Sequence, residues 1–102
     1  MTKISFHWPG RRTKDPAHDM LVAFLVMDIQ RNPEWTHELV DRIEQVKNGK
    51  LPVWERIGNA YRLELTGKRA LIEDLVDDDS PQQLITLNDF SKAVQAWIKA
   101  LK

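Results

Sequence analysis

An α+β fold, a small antiparallel sheet packed against helices, is predicted for this 102-residue chain by three observations. Gly58-Asn59 separates two alternating runs, the signature of a tight hairpin. Apolar stripes at helical spacing precede those runs. A third such stripe follows them, opened by Thr86 and Asp89 in capping-box spacing. Together they predict one domain over residues 1–102, with three to four strands built on a central meander. Two helices lie in its N-terminal half and an amphipathic helix ends it.

In order along the chain, "KISFHW" alternates Ile4, Phe6 and Trp8 against Lys3, Ser5 and His7, as a half-buried strand does. "PGRRTKD" breaks it, and Asp15-Pro16 supplies an N-cap and an N1 proline. Ala17, Met20, Leu21, Phe24 and Leu25 then predict a helix over about 16–31, although so apolar a run also suits a buried strand. Asn32-Pro33 repeats the start signal. Trp35, Leu39, Ile43 and Val46 form a stripe that stops before Gly49, a natural residue just past a helix end.

The hairpin at Gly58-Asn59 sets Ile57 opposite Ala60, Arg56 opposite Tyr61, Glu55 opposite Arg62 and Trp54 opposite Leu63. Trp54, Arg56, Tyr61 and Leu63 therefore project from one face, which is the apolar one. A Gly67-Lys68 turn adds a third strand, placing Ala70 beside Leu65 and Ile72 beside Leu63. Glu73 then lies opposite Arg62 on the outer face, in a charge ladder with Glu55. Phe90, Ala93, Val94, Trp97, Ile98 and Leu101 line the buried side of the last helix.

Composition narrows the function classes. An apolar fraction of 42%, a charged fraction of 29% and four Trp describe a packed globular chain. Formal net charge is zero, so composition gives no reason to expect nucleic acid or an anionic membrane as a general partner. There is no cysteine, hence no disulfide or thiol chemistry. The first residues lack the apolar core of a secretory signal. The longest apolar run, Met20 to Met27, is far short of the ~20 residues that span a bilayer. A cytoplasmic location is expected.

Candidate chemistry is sparse. His7, His18 and His37 lack metal-ligand spacing and are expected at the surface. Ser5, Ser80 and Ser91 have no nucleophile-elbow context, and the isolated glycines form no phosphate-binding loop. A non-enzymatic protein without metal or cofactor is the expectation. Arg56 beside Tyr61 is read either as a cation–π pair or as an arginine with buried stem and solvated head. "RRTK" at 11–14 offers Arg11, Arg12 and Lys14 to a phosphate backbone, a weak basis for an RNA-binding module. The acidic segment stands out: between Ala70 and Ser91 there are six Asp/Glu and no Lys or Arg. Glu73, Asp74, Asp77, Asp78 and Asp79 concentrate there, either as a solvated turn or as a surface that steers a basic partner.

The ordered combination of Trp54, Arg56, Gly58, Tyr61 and Leu63, a glycine-containing turn, a strand, an acidic loop and Asp89-Phe90 opening a helix resembles the YacL-like family of small bacterial proteins. The resemblance covers about Glu38 to Leu101. The chain departs from that pattern in leading with one strand where the family has a hairpin. Related small proteins are similar to immunity proteins of contact-dependent growth inhibition, which bind and block a cognate toxin in the cytoplasm. The resemblance thus implies a protein partner, a cognate toxin domain, and the charge of the acidic segment makes that segment the expected contact surface for a basic patch such as nucleases use for substrate. It implies no catalytic residues. The alternative it carries is a YacL-like housekeeping regulator with no toxin.

Overall fold

The computed structural model describes residues 8–77 and 79–101. Ile4 and Phe6 of the expected first strand lie outside them, whereas Trp8 is fully buried in the core. Helix α1 (Pro16–Phe24) runs into a π-helical turn (Leu25–Ile29), and α2 spans Pro33–Lys47. Strands β1 (Val53–Ile57), β2 (Tyr61–Thr66), β3 (Arg69–Asp74) and β4 (Gln83–Thr86) follow, then α3 (Leu87–Ala100). The sheet is an antiparallel meander in the order β1-β2-β3-β4. The α+β prediction is met, with the fourth strand supplied by a short segment just before Thr86.

Caps set the helix boundaries. Asp15 accepts from the amides of Ala17 and His18 at 2.9 and 3.4 Å, and Asn32 accepts from Trp35 at 3.0 Å. Thr86 accepts from the Asp89 amide at 3.1 Å, as the capping-box spacing requires. Burial opposes ionisation of the Asp15 carboxyl, but the two amides, with His18 and Arg12 nearby, hold its pKa below the ordinary carboxylate value. Its stabilising contribution is therefore complete above the ordinary carboxylate range and is lost as pH falls through the lowered value. At the far end of α2, Gly49 takes φ +83°, a conformation that side chains disfavour.

One face of the sheet is covered. Tyr61, Leu63, Leu65, Ala70, Ile72 and Ile85 are buried on it beneath Leu21, Phe24, Leu39, Ile43, Phe90, Val94 and Trp97 of the helices. Helix α1 packs on β3 and β4, α2 on β1 and β2, and α3 on β3 and β4. The other face is exposed along β1 at Val53, Glu55 and Ile57 and half-buried along β2 at Arg62, Glu64 and Thr66.

Three expectations need correction, and one residue explains two of them. The first helix does not continue to 31: α-helix gives way to the π turn after Phe24. That turn carries Asp28, whose side chain is completely buried. The Asp28 carboxylate accepts from the backbone amides of Ala60 at 3.0 Å and Tyr61 at 2.9 Å. The hairpin is consequently centred one residue later than expected. Gly58 donates to the Tyr61 carbonyl at 2.9 Å, and Asn59-Ala60 form the turn.

The strands pair as Ile57 with Arg62, Arg56 with Leu63, Glu55 with Glu64 and Trp54 with Leu65. This register is displaced by two residues from the expected one, and because strand faces alternate with period two, every inward residue stays inward. Pairing of β2 with β3 matches expectation at Arg62 with Glu73, Leu63 with Ile72 and Leu65 with Ala70.

The third correction is His18. It is buried, with Nδ1 accepting from the Arg12 amide at 2.9 Å and the ring 5.4 Å from that of Trp8. A histidine on an apolar helix stripe was accommodated inside because the 10–15 loop supplies its donor. His37 is exposed, as expected, and His7 lies outside the described residues.

Gly58 is required by packing: a Cβ there would stand 2.6 Å from Arg56 Nη1 and would overlap Asp28 Oδ2. Gly58→Ala should destabilise the domain by about 1–3 kcal/mol through overpacking. Asp28→Asn should cost about 1–3 kcal/mol, since a carboxamide has one accepting oxygen and leaves a buried amide without a partner. Urea denaturation of the single variants, and of Gly58→Ala in an Asp28→Ala background, checks the origin. The penalty at Gly58 should shrink once the carboxylate is gone; an equal penalty in both backgrounds would remove the close approach as its cause.

Candidate partner-binding surface

The motif residues of the first hairpin are brought together, in two different roles. Leu63 is fully buried and Tyr61 nearly so, with its ring edge-on to Phe24 at 6.4 Å. Trp54 is half-buried, and the Arg42 guanidinium lies 5.8 Å from its ring centre. Arg56 does not stack on Tyr61, because the observed register places it opposite Leu63. Its guanidinium lies over Trp35 at 5.4 Å, faces Asp28 Oδ2 at 3.9 Å and donates to the Asp28 carbonyl at 3.4 Å. Trp54, Arg56, Gly58, Tyr61 and Leu63 therefore build the sheet and its junction with α1 and α2.

The acidic residues cluster at the neighbouring edge of that junction. The loop after β3 starts from a hydrogen bond of the Leu75 amide to the Ala60 carbonyl at 2.8 Å. Asp74 Oδ1 then accepts from the amides of Val76 at 2.9 Å and Asp77 at 3.0 Å. Asp77 Oδ1 accepts from the Asp79 amide at 3.1 Å. Glu73 accepts from Gln82 at 3.2 Å and faces Arg62 at 3.6 Å. Glu73 and Asp74 thus shape the loop, while Asp77 and Asp79 stand exposed on it. Asp78 lies outside the described residues. Burial first, then the charges of Asp74 and Asp28, push the Tyr61 phenol pKa up.

Two apolar residues went unnoticed in the sequence. Val76 is 77% exposed and Leu75 is 40% exposed, each between carboxylates on a backbone that hydrogen bonds hold in place. The signal was available: "EDLVDDD" sets an apolar pair inside an acidic run where neither strand nor helix periodicity continues. Such a pair on a polar rim is how contact surfaces are commonly composed.

The basic loop is engaged locally. Arg11 lies over Trp8 at 5.4 Å, and Arg12 pairs with Asp15 at 2.8 Å. Among the described residues, no group of three His, Asp or Glu side chains is placed to hold a metal ion, and no helix is long and apolar enough to cross a membrane. A shallow cleft of 360 Å³ between the start of α2 and the end of α3 is lined by Arg31, Pro33, Thr36, His37, Ile98 and Leu101.

Asp74→Ala should loosen the loop without unfolding the sheet. Loss of both amide contacts is expected to cost about 0.5–2 kcal/mol, as for a lost cap, and to speed amide exchange at Val76 and Asp77 selectively. Unchanged exchange at those two amides would show that Asp74 does not order the loop. No protein-family model, no curated protein and no solved structure matches the chain.

Proposed function

We propose that this is a non-catalytic cytoplasmic protein that binds and neutralises a cognate toxin domain, as an immunity protein of contact-dependent growth inhibition or a related bacterial system does. The observation that carries this reading is the loop after β3, where Leu75 and Val76 project between Asp74, Asp77 and Asp79. A hydrogen-bonded loop loses little conformational entropy on docking, so its contacts translate more fully into affinity. The apolar pair fills a slot on the partner. The carboxylates oppose a basic rim such as a nuclease uses to hold its substrate, and they raise the association rate. The resemblance of the hairpin and acidic segment to the YacL-like pattern supports a protein partner over a small-molecule one.

The test is co-expression and co-purification with the product of the neighbouring gene, together with protection of cells that express that product. Asp77→Asn combined with Asp79→Asn should change folding stability by no more than about 0.5 kcal/mol. Association should slow several-fold at low salt, and the difference should narrow as salt screens the field. Val76→Ala should mainly accelerate dissociation. Absence of a complex and of protection in the parent protein would overturn the reading. Full protection by the loop variants would remove the loop from the contact surface.

A further inference from the structure

The sheet face opposite α1, α2 and α3, which no helix covers among the described residues, gathers several carboxylates around one arginine. Glu55 of β1 lies directly opposite Glu64 of β2. Like charges at such a pair destabilise the ladder. One guanidinium serves both: Arg62, in the next row between Ile57 and Glu73, reaches Glu55 at 2.7 Å, Glu64 at 2.9 Å and Glu73 at 3.6 Å. With Arg69 of β3 on the same face, three carboxylates against two cations leave one negative charge in excess, and the three glutamate side chains keep 27–47% exposure. The same row continues from Glu55 and Glu64 to Leu71 and then Leu84, which is 54% exposed. At its other side, Ile57 is 67% exposed.

We propose that this face docks a basic amphipathic helix of a protein partner, with a Lys or Arg over Glu55 and Glu64 and an apolar side chain over Leu71 and Leu84. Strands spaced about 4.8 Å apart put the centre of the acidic pair about 10 Å from the centre of the leucine pair. Residues seven apart on one face of a helix are separated by about 10.5 Å. The excess charge selects the cation, and the leucine pair selects the apolar residue one heptad away. The docked helix would lie on the side of the sheet opposite α1, α2 and α3, making a third layer.

This surface adjoins the loop after β3 at Glu73 but does not include residues 74–77, and its test does not depend on a toxin. The probe is a synthetic 15-residue helical peptide with Lys and Leu seven positions apart on one face and Ala and Gln elsewhere. Its control carries the same residues with Lys and Leu on opposite faces. Titration into the ¹⁵N-labelled protein should shift the amides of Glu64, Leu71 and Leu84 and leave 74–77 unmoved, with the control binding at least several-fold more weakly. Glu64→Gln should weaken the probe about tenfold at low salt, with a thermal midpoint at or above the parent's because the like-charge pair is relieved. Leu84→Asn should weaken it in parallel. Shifts confined to 74–77, equal binding of the control, or unchanged affinity in Glu64→Gln would overturn the proposal. So would a concentration-dependent dimer abolished by Glu64→Gln, which would give the face to a second copy of the chain.

Discussion

The Asp28 carboxylate is the interaction on which the rest of the structure depends. A buried carboxylate is costly unless fully hydrogen-bonded, and here the amides of Ala60 and Tyr61 and the nearby guanidinium of Arg56 make burial tolerable. Through those contacts the end of α1 grips the turn between β1 and β2. Gly58 is the residue against which the carboxylate fits, so the turn forms on Asn59-Ala60 and the strand register follows from it. The Ala60 carbonyl in turn holds the Leu75 amide, so the acidic loop inherits its position from the same junction.

The π turn and its exit are the local consequence. The π turn carries Asp28 to the hairpin and keeps Leu25 and Ile29 in the core. The chain leaves it through Gln30 at φ 58° and ψ −150°, a region that non-glycine residues rarely occupy. Surrounding contacts hold it there: the Trp97 indole donates to the Gln30 carbonyl at 3.1 Å, and Gln30 Nε2 donates to the Met27 carbonyl at 3.0 Å. Strain at one residue is thus offset by a local bond to Met27 and a long-range one from Trp97.

The register places the polar surfaces as well. With the expected pairing, Glu55 would have faced Arg62 directly. With the observed pairing, Glu55 faces Glu64 and a single Arg62 bridges them diagonally, on the face opposite α1, α2 and α3. At the end of β3, Glu73 joins this face to the acidic loop by touching Arg62 on one side and Gln82 on the other.

Local signals in the sequence determined the α+β class, both later helices with their caps, the β2–β3 register and the inward set of Trp54, Arg56, Tyr61, Leu63, Leu65, Ala70 and Ile72. Capping, turn and alternation rules act over a few residues, and the period-two alternation of strands survived a turn displaced by one position. Asp28 was hidden because it ends the apolar stripe of Leu21, Phe24 and Leu25, at a spacing that predicts burial but gives no partner. Tertiary structure alone decided that its partners are amides more than 30 residues away. It likewise decided that Arg56 meets Trp35, that His18 is buried, and that Leu75 and Val76 are exposed. For Asp28 and His18 the physical reason is the same: a buried polar group must find its hydrogen bonds wherever the packed chain supplies them, and sequence spacing carries no record of that place.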